Sequence, residues 1–300
     1  MKHWVTGILV TILAGCAAPV PEVDSEYRAQ IEQWRAQRIE RLTAEDGWLT
    51  VVGLHWLEDG VNRFGSDAAN EVVLDAPGVP PLAGTLEVTE AGVVARTAAD
   101  AGVTINGEPF VESAVTTDIQ GRPDVFAISR LTCYVIERGG RLAVRVKDPE
   151  SEARQSFDGI RYFPIDPRYR VTATLEPYGE PREVEIPTIT GDPTTMLAPG
   201  LLRFTLGGNP LSLEPYVGSV EDESYFLIFR DRTSGNTSYG GGRFLGADRV
   251  TDDGTTTIDF NYSYSPPCAF TAYATCPLPP SQNSLPVAIE AGERFLDPQH

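Results

Sequence analysis

Between Trp48 and Val146 the chain is cut into short apolar or alternating runs by dipeptides that turn the backbone. The runs are Leu49–Leu57, Glu71–Leu74, Gly84–Val88, Gly92–Ala95, Val103–Ile105 and Arg141–Val146. Between them stand Asp59-Gly60, Pro77-Gly78, Asn106-Gly107 and Gly139-Gly140. Such runs have the length and period of half-buried strands, and the glycine-containing pairs favour hairpins. Short strands joined in this way must bury one face against a second sheet, which predicts a β-sandwich.

A second series follows at Val171–Leu175, Val184–Ile186, Gly200–Leu206, Ser224–Phe229, Gly242–Leu245 and Thr255–Phe260. Proline is dense between these runs and confines those stretches to edges and loops. The fold class expected is therefore mainly β, with two β domains, the second a sandwich or barrel. Residues 147–154 (KDPESEAR) are charged, turn-rich and poor in apolar side chains, so the boundary is placed there. One helix is expected, at Tyr27–Leu42, where Tyr27, Ile31, Trp34, Arg38/Ile39 and Leu42 recur at spacings of three and four. Asp24 or Ser25 can cap its start. The domain scheme is 1–15 signal, 16–26 tether, 27–147 helix plus sandwich, and 148–300 C-terminal β domain.

The first residues carry an address. Lys2 precedes an apolar run from Val5 to Leu13, which ends in Leu13-Ala14-Gly15-Cys16. A positive start, a short apolar stretch and small residues at the cut describe a secretory signal. The run is too short to span a bilayer core of about 30 Å permanently. The Leu-Ala-Gly-Cys ending resembles a lipobox, which makes Cys16 the expected lipidation site and the membrane a partner through that lipid. Alanine at position 17 resembles sorting to the periplasmic face of the outer membrane. Residues 17–26 (AAPVPEVDSE) are too polar and proline-rich to fold and form the tether.

The formal net charge of −18 opposes nucleic acid and anionic headgroups. It is compatible with cationic ligands, and a structural Ca²⁺ site is one reading of it. Cys268 and Cys276 enclose a short loop and are an expected disulfide in an oxidising compartment, contributing about 2–3 kcal/mol. Cys133, in the strand pattern Leu131–Ile136, is expected as a buried small hydrophobe.

The segments Asn62–Asp67, Asn70–Leu74 and Val103–Phe110 resemble, in their order of glycine-flanked turn, apolar strand and late Asn-Gly hairpin, a degenerate forkhead-associated sandwich. Where that family places a Ser-x-x-His phosphothreonine pocket, this chain has Pro80-Pro81-Leu82-Ala83-Gly84. The resemblance implies the fold and gives no support to phosphopeptide binding.

Further on come Asp231-x-Thr233-x-Gly235, Tyr239-Gly-Gly-Gly-Arg243, Asp259-Phe-Asn261, Cys268, Cys276-Pro-Leu-Pro-Pro280, Asn283 and Ala291-Gly-Glu293. With Trp48–Leu57 and Phe157–Phe163 upstream, this order resembles domain-of-unknown-function family 1684. The resemblance implies continuity of fold across the chain and assigns no catalytic residue.

The residues themselves offer one candidate constellation. Asp231, Arg243, Asp259 and Asn261 converge if the strands that carry them are neighbours. Two carboxylates, an arginine and an amide in one cleft can perform acid–base chemistry or hold a cation. The competing reading is a buried Arg243–Asp pair with Asn261 serving loop backbone. His55 is the one histidine away from the two ends, and no Gly-x-Ser-x-Gly elbow accompanies it. No histidine-based metal cluster and no cofactor motif can be built. The glycines at 240–242 lack a phosphate-loop lysine and suit a tight turn. Two functions are therefore expected to compete. One is a non-catalytic envelope module binding a small molecule, glycan or protein; the other is a carboxylate-dependent hydrolase or glycan-acting enzyme.

Overall fold

The computed structural model describes residues 22–98 and 100–295. The signal and Cys16 lie outside the described residues. The helix α1 spans Ser25–Thr43, and Asp24 caps it by accepting from the backbone N–H groups of Glu26 and Tyr27 at 3.0 Å.

The sandwich follows, with β1 Val51–Trp56, β2 Gly60–Gly65, β3 Val72–Val73, β4 Gly84–Thr89, β5 Gly92–Thr97 and β6 Thr104–Ile105. Its later strands are β7 Glu108–Pro109, β8 Glu112–Val115, β9 Phe126–Ile128, β10 Leu131–Arg138 and β11 Arg141–Lys147. They form a six-stranded sheet in the order β1-β11-β10-β9-β6-β7 and a five-stranded sheet in the order β3-β2-β4-β5-β8. Alternation along β10 turns Leu131, Cys133 and Val135 inward, where they pack with Val144 and Val146 of β11 and with Phe64, Val72 and Leu86 from the other sheet. Cys133 is buried as its strand pattern predicts, and burial pushes its thiol up to about 12. His55, half-buried opposite Val144, is held below its ordinary range by desolvation.

After a short helix at Glu152–Gln155 (α2) come β12 Arg161–Tyr162, β13 Arg170–Ile186, β14 Thr194–Leu206, β15 Asn209–Leu213, β16 Ser224–Phe229, β17 Arg243–Asp248, β18 Thr255–Asp259 and β19 Glu293–Arg294. The sheets here are β15-β14-β13-β18, β16-β17 and β12-β19. Of the two forms expected for this half, the barrel is not formed, because among the described residues these sheets stay open. The runs Val171–Leu175 and Val184–Ile186, expected as separate strands, are one strand. The pairing of β13 with β14 shifts between Pro177 and Arg182, and Gly179, at φ +89°, takes the left-handed turn that lets a proline-bearing segment bulge out and rejoin the ladder.

The seat of α1 is on this C-terminal half. Tyr27 and Ile31 pack with Ile165, Trp34 meets the ring of Tyr262 edge-on at 5.3 Å, and Arg38 pairs with Glu293 at 2.9 Å. Full burial of Ile31 contributes about 2 kcal/mol to that docking. At the junction of the halves the Asp148 N–H donates to the Thr50 carbonyl at 2.7 Å, and Arg130 grips the Asp148 carboxylate with both arms of its fork.

Candidate functional site: a cleft between the two halves

Of the four candidate residues, the structure brings Asp231 and Arg243 together and Asp259 and Asn261 together. Each pair holds a separate network.

Arg243, at the start of β17, is fully buried. Its guanidinium donates to the carbonyls of Ala291 and Ile289, the latter at 2.8 Å, and faces Asp231 Oδ1 at 3.3 Å. Asp231 accepts in turn from the Thr233 hydroxyl at 2.9 Å and from the backbone N–H of Ile289. A charge without exposure persists in a protein only when it is paired and hydrogen-bonded, and both conditions are met. The network clips the segment 289–293 onto β17 and leaves no face open to a substrate.

Asp259 and Asn261 serve the helix. The Tyr27 hydroxyl donates to Asp259 Oδ2 at 2.7 Å, and Asn261 Nδ2 donates to the same hydroxyl at 3.0 Å. Asn261 also closes on Asp166, accepting from its N–H at 3.0 Å and donating to its carbonyl at 2.9 Å. The other residues of the signature act similarly. Asn283 makes three bonds to the backbone of Glu214 and Ile228, and Glu293 accepts from Arg38 and from the Ser265 N–H. Gly242 sits at φ +90° with no space for a side chain, as a tight turn requires. The signature therefore marks joints of the fold. Among the described residues no three acidic, histidine or cysteine side chains gather as a metal site would require.

Cys268 and Cys276 are free thiols in this structure, so the expected bridge is not present. The Cys268 N–H donates to Cys276 Sγ at 3.1 Å, and the Tyr239 hydroxyl donates to the Cys268 carbonyl at 3.1 Å. This polar seating satisfies the pair without a covalent link. Their mutual interaction holds the Cys268 thiol below the ordinary thiol range and, with burial, pushes Cys276 above it.

The open concavity lies elsewhere. A cleft of about 560 Å³ separates the outer face of β10 and β11 from the loops at 188–196 and 267–277 of the C-terminal half. Trp48, Met196, Phe244 and Pro277 give it apolar walls, and Cys276 lies on its floor. Strand parity accounts for its polar side: with Cys133, Val135 and Val144 turned inward, Arg138 and Arg145 must face outward. Arg138 Nε donates to Thr275 Oγ1 at 3.2 Å and its guanidinium pairs with Asp118 at 2.7 Å. Arg145 lies against the ring faces of Trp48 at 4.9 Å and Tyr134 at 5.9 Å. Of the carboxylates lining it, Glu137 and Asp192, the latter is taken up by Arg141 at 3.1 Å. Of these residues the sequence singles out Cys276, as half of an expected disulfide, and Trp48 and Pro277, within the family signature; the arginines do not stand out. The available signal was the pair of arginines at outward positions of adjacent strands, flanked by Tyr134, Ile136 and Ala143 on the same face.

Residues 155–294 match the family described as Protein of unknown function (DUF1684). The solution NMR structure of an uncharacterised protein from Haloarcula marismortui is 38% identical over 49% of this chain and 81% of its own length, with a TM-score of 0.42. An FHA domain from a study of phosphothreonine-dependent interactions is 18% identical, covering 33% of this chain and 96% of that domain at a TM-score of 0.23. The FHA domain of FhaA is 16% identical, covering 31% of this chain and 97% of that domain at 0.22. No curated protein matches the chain.

Proposed function

We infer the function from the cleft, since the chain belongs, through residues 155–294, to the family of proteins of unknown function DUF1684. It is a non-catalytic binding module of the cell envelope, held to a membrane by lipid on Cys16 and presented on the tether that follows. The observation that carries this reading is the open cleft of about 560 Å³, a volume that suits a small ligand, between two β halves. What favours the module over the hydrolase is that Asp231 and Arg243 have no exposed side-chain surface and that Asp259 accepts from Tyr27.

The test is a melting screen of the full chain in detergent against glycans, peptides, organic acids and divalent ions. A ligand that binds the folded state alone raises stability by about 2.7 kcal/mol at a hundred times its Kd. Binding without chemical change of the ligand supports the module; turnover of any ligand overturns it. Cys16→Ser is expected to abolish lipid labelling and membrane retention. Unchanged fractionation of that variant rules out the anchor.

A further inference from the structure

We propose that the cleft takes an organic oxyanion, a carboxylate or phosphate ester on a compact apolar body, with Arg145 as its charge partner. The proposal rests on the cleft being the binding site.

The argument begins with how this chain treats its other buried arginines. Arg243 is given Asp231 and backbone carbonyls, and Arg38 is given Glu293 and the Ser265 carbonyl. Arg145 is 3% exposed and, among the described residues, forms no ion pair. Its Nε has no hydrogen-bond partner, as is also true of Arg243 Nε, but where Arg243 places its other N–H groups on Asp231 and backbone carbonyls, Arg145 Nη2 reaches only Thr275 Oγ1 at 3.4 Å. A guanidinium carries five donors, so most of its capacity is unused. Removing such a charge from water is costly unless an anion or strong acceptors replace the water. The faces of Trp48 and Tyr134 return part of that cost and leave the N–H groups free.

A second arginine points to the same place. Arg138 and Arg145 both direct an N–H at the single oxygen of Thr275; Asp118 pairs with Arg138, and of the carboxylates lining the cleft, Glu137 and Asp192, neither pairs with Arg145. Two cations sharing one neutral hydroxyl create a positive focus on the wall of the cleft, in a chain whose net charge is −18. The planar fork of arginine matches the two oxygens of a carboxylate or phosphate. Beyond that focus the walls are Trp48, Met196, Phe244 and Pro277, which favour an apolar body attached to the charged head.

The test uses the full chain in detergent, read by thermal melting and by tryptophan fluorescence, because Trp48 lies in the cleft. The probes are phenylpropionate, phenyl phosphate, inorganic phosphate and the uncharged 3-phenylpropanol. At least one of the two organic anions is expected to bind at least tenfold more tightly than the alcohol and than inorganic phosphate; which one does identifies the head group. Arg145→Met is expected to remove that preference. If Arg145→Met does not fold, Arg145→Lys serves, since it keeps the charge but loses the fork and is expected to weaken the anion severalfold. Equal binding of the alcohol, undiminished anion binding in the Arg145 variant, or no binding of either organic anion overturns the proposal. A neutral glycan or peptide that binds in the wider screen meanwhile leaves the binding-module reading in place.

Discussion

The guanidinium of Arg243 and the carboxylate of Asp231 face each other at 3.3 Å with neither side chain exposed. Removing one partner of such a pair leaves an uncompensated buried charge. Asp231→Ala is therefore expected to cost about 3–5 kcal/mol, measured as a shift of the denaturation midpoint. A loss below about 1 kcal/mol would show that the pair is not sealed.

Tyr27 ties α1 to the C-terminal half by donating to Asp259 and accepting from Asn261. Tyr27→Phe keeps the ring but removes the donor to Asp259 Oδ2 and one of the acceptors of Asn261 Nδ2, at an expected cost of about 1–3 kcal/mol. The loss should appear first as faster amide exchange in Ser25–Thr43, ahead of the sandwich. Uniform acceleration across the chain would contradict the helix being a separately docked element.

Asp148 carries a pH dependence whose sign is set by its partner. Arg130 holds its carboxyl below the usual carboxylate range. The stability this supplies is complete above the unfolded value of about 3.9 and is lost as pH falls through the lower folded value. The difference in Tm between the wild type and Asp148→Asn should stay constant from neutral pH down to about 5 and close in stronger acid. A difference that widens in acid would refute the assignment.

In the reduced protein the Cys268 thiol, held below the ordinary thiol range by its neighbour Cys276, should be the first of the described cysteines to alkylate as pH rises. Cys133, buried and pushed up to about 12, should stay inert until unfolding. Mass spectrometry after a pH series of iodoacetamide pulses measures both. A Cys268 midpoint at or above an ordinary thiol value of about 8.5 would show that Cys276 does not hold it down.

Much of the secondary structure was legible because neighbours in the chain decide it. The spacing of Tyr27, Ile31 and Leu42 specifies the buried face of α1, and the alternation through Cys133 specifies which face of β10 is core. The candidate constellation was legible as residue types but not as chemistry. Asp231, Arg243, Asp259 and Asn261 are all polar and suitably spaced, yet whether such groups meet water depends on what covers them. Arg243 is covered by the segment 289–293 and Asp259 by Tyr27, 232 positions away in sequence.

By itself, then, the sequence determined the mainly β class, the helix at Ser25–Thr43 with its cap, and the inward face of strands such as β10, since period and turn chemistry act over a few residues. Tertiary structure alone decided that β13 runs unbroken through Pro177, that α1 docks onto the C-terminal half, and that Arg145 lacks the carboxylate given to Arg38 and Arg243. These outcomes depend on contacts between distant segments, and burial and charge pairing come into being only once those segments have packed together.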